Sequence, residues 1–159
     1  MLVITGGAGF IGSNLINFLN NNQDEEILIV EEMDTYLKKF KNLDDLKYID
    51  CIDKNTFIND INNNSSKYKG KINNIFHLGA CSKTTEPDRD YIMSTNFEYS
   101  KDILKYSANN KISLIYASSA SVYGETKLFV EEPRYESFLN HYAESKLLEV
   151  SMLSRAELE

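Results

Sequence analysis

The chain has 159 residues, a formal charge of −7 and two cysteines, Cys51 and Cys81. That length suits one domain with a real core, and the acidic balance excludes nucleic acid, which needs a basic footprint. No apolar run approaches the ~20 residues of a membrane span, no basic leader precedes a long apolar stretch, and the cysteines have neither C-x-x-C nor zinc spacing, so neither a membrane partner nor a metal is expected. Two free thiols suit a reducing cytosol, which makes the expected location cytoplasmic.

Leu2 to Ile4 reads as a buried strand that enters a glycine-rich turn at Gly6, Gly7, Gly9 and Gly12. A helix should follow from Phe10 to Asn20, burying Ile11, Leu15, Phe18 and Leu19 and leaving Asn14 and Asn17 in water. Strand, turn and helix in that order are the context of a dinucleotide fingerprint, here Gly7-Ala8-Gly9-Phe10-Ile11-Gly12. Gly6 and Gly7 permit backbone angles closed to other residues. Gly9 keeps a side chain off the pyrophosphate, and Gly12 lets the helix pack closely on the strand. The phosphates then sit on free amides at the helix N-terminus.

Ile27 to Val30 is the second strand, ending at Glu31-Glu32. A carboxylate there accepts hydrogen bonds from ribose hydroxyls, the pattern of NAD. A 2′-phosphate, as in NADP, would be repelled by Glu31 and Glu32 but attracted by Lys38 and Lys39, so both cofactors remain open. Met33 to Lys47 shows no clear periodicity. Tyr48 to Ile52 reads as a third strand, Asn55 to Asn62 as a short helix, and Ile75 to Leu78 as a fourth strand ending at Gly79-Ala80. A long helix near Asp88 to Asn109 should bury Ile92, Phe97, Ile103 and Leu104. Ile112 to Ala117 is the fifth strand, leading into Ser118-Ser119-Ala120-Ser121, and a last helix runs from near Asn140 almost to Glu159.

This alternation predicts a doubly wound parallel α/β sheet, order 3-2-1-4-5, with the switch point between the first and fourth strands. Residues 1–159 are expected to form one Rossmann domain, incomplete at the C-terminus, with the fifth strand as an exposed edge.

Tyr-x-x-x-Lys occurs twice. Tyr123 and Lys127 flank Gly124 in a loop, where the spacing has no geometric meaning. Tyr142 and Lys146 fall on the last helix, where positions i and i+4 share a face. An ammonium there stabilises a phenolate and lowers a tyrosine pKa that is normally ~10. Ser119, at the carboxyl end of a strand, has a hydroxyl to hold the reacting oxygen. His77 reads as a buried structural residue and His141 as projecting from another helix face. Cys81 either lines the cofactor site or simply packs.

Thr5-Gly6-x-x-Gly9-x-x-Gly12, Ser119 and Tyr142-x-x-x-Lys146 together resemble the extended short-chain dehydrogenase/reductases, the epimerases and dehydratases of nucleotide sugars. Ile75 to Glu86, Glu98 to Lys101 and Tyr116 to Ala120 resemble the ADP-heptose 6-epimerases among them, and Gly79-Ala80-Cys81-Ser82-x-Thr84-Thr85-Glu86 is the specific part. The resemblance implies a bound NADP, oxidation and re-reduction of an ADP-heptose at carbon six, and a homo-oligomer for the full-length family. Tyr142 would be the proton acceptor, Lys146 its partner and Ser119 a hydrogen-bonding helper. Cofactor contacts carry over to Gly6, Gly9, Phe10, Ile11, Gly12, Glu31, Glu32, Lys39, Lys54, Leu78, Gly79, Ala80, Cys81, Ser82, Thr95 and Lys146.

The chain departs from the pattern in several places. The family commonly has Asp-Asn where Glu31-Glu32 stand and glutamate in place of Leu78, and one residue is inserted before Lys39. Family members also carry a second half with the substrate pocket and a second catalytic base. Residues 1–159 are therefore expected to be an inactive N-terminal portion. The competing readings are a nucleotide-sugar 4-epimerase or 4,6-dehydratase, disfavoured by Cys81 to Glu86, and a dinucleotide-binding module without turnover.

Overall fold

A computed structural model describes residues 1–34, 39–63 and 66–156. Five strands, β1 (Leu2–Thr5), β2 (Ile27–Glu31), β3 (Asp50–Asp53), β4 (Asn74–His77) and β5 (Ser113–Tyr116), form one sheet in the order β3-β2-β1-β4-β5. All four pairings are parallel, and Leu2 stands in register with Ile27 on one side and Asn74 on the other. Every residue of β1 and β2 is buried, because helices cover both faces of a parallel sheet and its inner strands read as unbroken apolar runs. The fold expected from the alternation of elements is the one observed.

Helix α1 (Phe10–Asn22) packs Ile16 and Leu19 into a core with Leu2, Ile4, Ile27 and Ile29. Right-handed crossovers put α2 (Lys54–Asn62) and the helix preceding β5 on the opposite face. Asp53 caps α2 by accepting from the amides of Asn55 and Thr56. Phe57 of α2 is fully buried and meets the Tyr68 ring at 5.6 Å. The edge strand β5 leaves Ile115 46% exposed.

Contacts divide the chain into two compact units: residues 1–79 with 105–117, which hold the whole sheet, and residues 80–104 with 118–159. The second unit contains α3 (Arg89–Ile92), a π-helical stretch (Met93–Glu98), the start of α4 (Tyr99–Asn110) and α5 (His141–Ala156).

Several expectations are corrected. The inward face of α1 is Gly12, Ser13, Ile16 and Leu19, whereas Ile11 and Phe18 are 65% and 60% exposed. Seating Gly12 on the glycine turn fixes the helix rotation, so positions 12, 16 and 19 point inward and positions 11 and 18 turn out. β3 lies later than Tyr48–Ile52, since Ile49 donates its amide to Ile27 before the regular ladder starts at Asp50. Leu78 falls outside β4. The long helix is interrupted by the π stretch, whose wider turn brings Asn96 and Ser100 inward and leaves Phe97 and Leu104 half-buried. Lys38 and residues 157–159 lie outside the described residues.

Candidate active site

The glycine turn is built by close backbone approach. Gly6 adopts φ +68°, and a Cβ on it would stand 2.8 Å from Gly79 Cα at the end of β4. A Cβ on Gly12 would meet Gly7 Cα at 2.6 Å. Thr5 ties the turn to β4: Gly79 donates its amide to Thr5 Oγ1 at 3.0 Å, and that hydroxyl lies 2.7 Å from Nδ1 of the buried His77. His77 is thus buried in β4 and bonded to the turn, as a structural residue would be. Gly9 caps α1 without a side-chain bond, the first turn carries no acidic residue, and Phe10 and Ile11 are exposed beside it. That N-terminus retains amide donors and a positive dipole end suited to an anion.

At the end of β2, Glu31 is 5% exposed and accepts from the amides of Ala8 (3.2 Å) and Glu32 (3.2 Å). Lys39 Nζ reaches its Oε1 at 3.3 Å, and Lys54 Nζ pairs with Glu32 at 2.5 Å. Each acid at the end of β2 is thus paired with a lysine, Glu31 with Lys39 and Glu32 with Lys54, while Lys38 lies outside the described residues.

In the second unit, α5 carries Tyr142 and Lys146 one turn apart. Lys146 is 4% exposed, and its ammonium binds the buried Glu149 at 2.6 Å. Burial pushes the lysine below its ordinary range while Glu149 pulls it up, and the same burial raises the Glu149 carboxyl. Asn96, 1% exposed, accepts from the Cys81 amide (2.8 Å) and donates to the Cys81 carbonyl (3.1 Å) and Ser145 Oγ (3.0 Å). Ser145 Oγ in turn donates to the Tyr142 carbonyl at 2.8 Å. Ser119 Oγ accepts from the Ser121 amide and hydroxyl, at 3.2 and 2.8 Å, which leaves its own proton to donate.

A model of the NAD dependent epimerase/dehydratase family matches residues 2–157. The chain belongs to that family. The crystal structure of Helicobacter pylori ADP-L-glycero-D-manno-heptose-6-epimerase is 32% identical with a TM-score of 0.82, covering 97% of this chain and 50% of that one. Two further structures share the fold at 24% identity. UDP-N-acetylglucosamine 4-epimerase from Methanobrevibacter ruminantium M1, in complex with UDP-N-acetylmuramic acid, has a TM-score of 0.83 and covers 99% and 50% of the two chains. Bordetella bronchiseptica WbmG, in complex with NAD, has 0.79 and covers 97% and 49%. The chain spans about half the length of these structures.

In this epimerase-family chain, the structure gathers Gly6, Gly9, Gly12, Glu31, Lys39 and Gly79 within the first unit, with Glu32 and Lys54 as an adjoining pair. It gathers Cys81, Tyr142 and Lys146 around α5 in the second. Leu78 packs against the core of the first unit, Ser82 is exposed, and Thr95 lies in the π stretch. His141 faces Glu144, 3.7 Å from Nδ1, on a rim shared with Arg89. Residue-by-residue reading overlooked Asn96, Ser100, Ser145 and Glu149. The available signal was polar residues on an otherwise buried helix face: Asn96 stands four after Ile92, and Glu149 seven after Tyr142. Among the described residues no helix is long and apolar enough to cross a membrane, and no cluster of three His, Cys, Asp or Glu residues is arranged for a metal ion.

Proposed function

We propose that this chain supplies the dinucleotide-binding and proton-transfer parts of an NADP-dependent epimerase, which converts ADP-D-glycero-D-manno-heptose to ADP-L-glycero-D-manno-heptose by oxidation and re-reduction at carbon six. The observation that carries the reading is the pair on α5, Tyr142 followed one turn later by a buried, ionically held Lys146. The 32% identity to the Helicobacter pylori enzyme supports a heptose as the sugar. We assign the enzyme to the cytoplasm, working as a homo-oligomer.

The uncapped N-terminus of α1 and its close-packed glycines fit a pyrophosphate. Gly6, Gly9, Phe10, Ile11 and Gly12 would hold the phosphates, Glu31, Glu32, Lys39 and Lys54 the adenosine end, and Leu78 to Ser82, Thr95 and Lys146 the nicotinamide half. When bound, the dinucleotide would supply a reversible hydride acceptor for the sugar carbon. Tyr142 Oη, as phenolate, accepts the hydroxyl proton as the carbon–oxygen double bond forms and returns it on reduction. Lys146 stabilises the phenolate, and the free Ser119 proton bonds the reacting oxygen. Lys39 and Lys54 favour NADP, whereas Glu31, buried and bonded to the turn, favours NAD.

The test completes this chain with the second half that family members carry, supplies ADP-D-glycero-D-manno-heptose and NADP, and follows inversion at carbon six by NMR, with UDP-glucose in parallel. Turnover of the UDP-sugar alone would replace the heptose reading by a 4-epimerase. A second reading is a dinucleotide-binding module without turnover. Dinucleotide binding with no turnover of either sugar would select it.

A further inference from the structure

The ion pair between Lys146 and Glu149 places two charges where the side chains are 5% and 1% exposed. Desolvating such a pair offsets its attraction, so an apolar pair of similar volume would serve the fold as well. A hydrogen bond from Ser100 of α4 also reaches the carboxylate, yet Glu149 Oε1 has no hydrogen-bond partner among the described residues. Tyr142, Lys146 and Glu149 stand at i, i+4 and i+7, one stripe of α5 with the lysine in the middle.

We propose that Glu149 is a positioning residue for Lys146, anchoring its ammonium on the Tyr142 stripe and keeping it charged for the tyrosine. This assignment rests on the reading of Tyr142 and Lys146 given above. Burial alone drives Lys146 towards the neutral amine, which cannot stabilise a phenolate, and Glu149 is the charge that opposes this. Of the other charged groups on elements packed against α5, Asp102 of α4 is half-buried and Lys105 exposed, and neither acts on Lys146 or Glu149. Arg89 and His141 face Glu144, Glu98 pairs with Lys101, Asp90 is exposed, and the turn Ala120–Val122 carries no charge.

The test is an NMR titration of the full chain, following the Lys146 Cε and Glu149 Cδ signals with and without Glu149→Gln and Glu149→Asp. The Lys146 midpoint should fall in Glu149→Gln and be restored in part by Glu149→Asp. An unchanged Lys146 midpoint in folded Glu149→Gln would overturn the proposal. Should that variant fold poorly, the unsubstituted chain suffices: Lys146 Cε should show an inflection where Glu149 takes up its proton, and its absence would overturn the proposal equally. The Tyr142 phenolate, read from the ultraviolet difference against Tyr142→Phe, reports separately on the catalytic reading. An ordinary tyrosine midpoint beside a shifting Lys146 would reject the base assignment and leave the role of Glu149 towards Lys146 standing.

Discussion

Asn96 closes both backbone groups of Cys81 with one carboxamide, accepting from the amide at 2.8 Å and donating to the carbonyl at 3.1 Å. Its second amide hydrogen goes to Ser145 on α5. The segment after β4 and the helix carrying Tyr142 are therefore referenced to one buried side chain, held inward by the π stretch. Such stretches are frequent at functional sites.

Replacing Asn96 by alanine should leave the buried Ser145 hydroxyl and the part-buried amide and carbonyl of Cys81 each short of a partner. A loss of about 3 kcal/mol follows from the cost of unsatisfied buried groups. Urea unfolding is the measurement, read as a lower midpoint at unchanged slope. A loss no larger than that of an exposed-surface substitution would mean that water replaces the clamp.

Gly12→Ala should overpack the turn, because the new methyl would stand 2.6 Å from Gly7 Cα in backbone that cannot move aside. Destabilisation of about 1–3 kcal/mol is expected from overpacking, together with loss of dinucleotide binding. Gly70→Ala is the control: it meets nothing within 4 Å, and its φ of +69° alone should cost about 1 kcal/mol with binding intact. Thermal unfolding with and without NADP separates the two effects.

Much of this was legible in the sequence for a physical reason. The sheet order follows from strand alternation and crossover handedness, and the glycine turn from steric needs that few residues meet. The rotation of α1 was not legible, because Ile11 and Phe18 are as apolar as Ile16, and only the seat of Gly12 decides which of them turns inward. Asn96 escaped notice because a polar residue on a helix gains meaning only when its partner arrives from elsewhere in the chain, and Glu149 because an i,i+3 pair with Lys146 reads as a solvated surface pair until its burial is seen. A π turn, which shifts the period by a residue, hides that partner from any count based on 3.6.

Cofactor preference should follow the paired charges at the end of β2. Lys39→Met and Lys54→Met each remove one cation and the ion-pair partner of one carboxylate, Glu31 or Glu32. NADP affinity should drop about tenfold in each, the scale of one lost charge-assisted contact, while NAD affinity holds or improves. Competition binding at fixed salt reads the ratio. Equal losses for both dinucleotides would place the lysines away from the 2′-phosphate.

Arg89 grips Glu144 through two hydrogen bonds and holds that carboxyl below its usual range. A depressed folded-state value stabilises the protein above the unfolded carboxylate pKa, and the gain disappears as pH falls through the folded value. Arg89→Met should therefore lower the urea midpoint near neutral pH and converge with the unsubstituted protein in acid. A gap that persists in acid would assign the effect to packing.

Tyr142→Phe keeps the ring and removes the hydroxyl, so dinucleotide binding should survive in the epimerase while turnover falls about 10²-fold or more, the usual scale of a lost general acid–base group. Lys146→Met should do more. It removes the cation from the Tyr142 stripe and strands Glu149 as a buried carboxylate with its ammonium gone. Breaking a buried pair from one side costs about 3–5 kcal/mol, so Lys146→Met should lose stability as well as turnover, and the double variant Lys146→Met/Glu149→Leu should recover stability without recovering turnover. Recovery of turnover in the double variant would show that the lysine serves the fold alone.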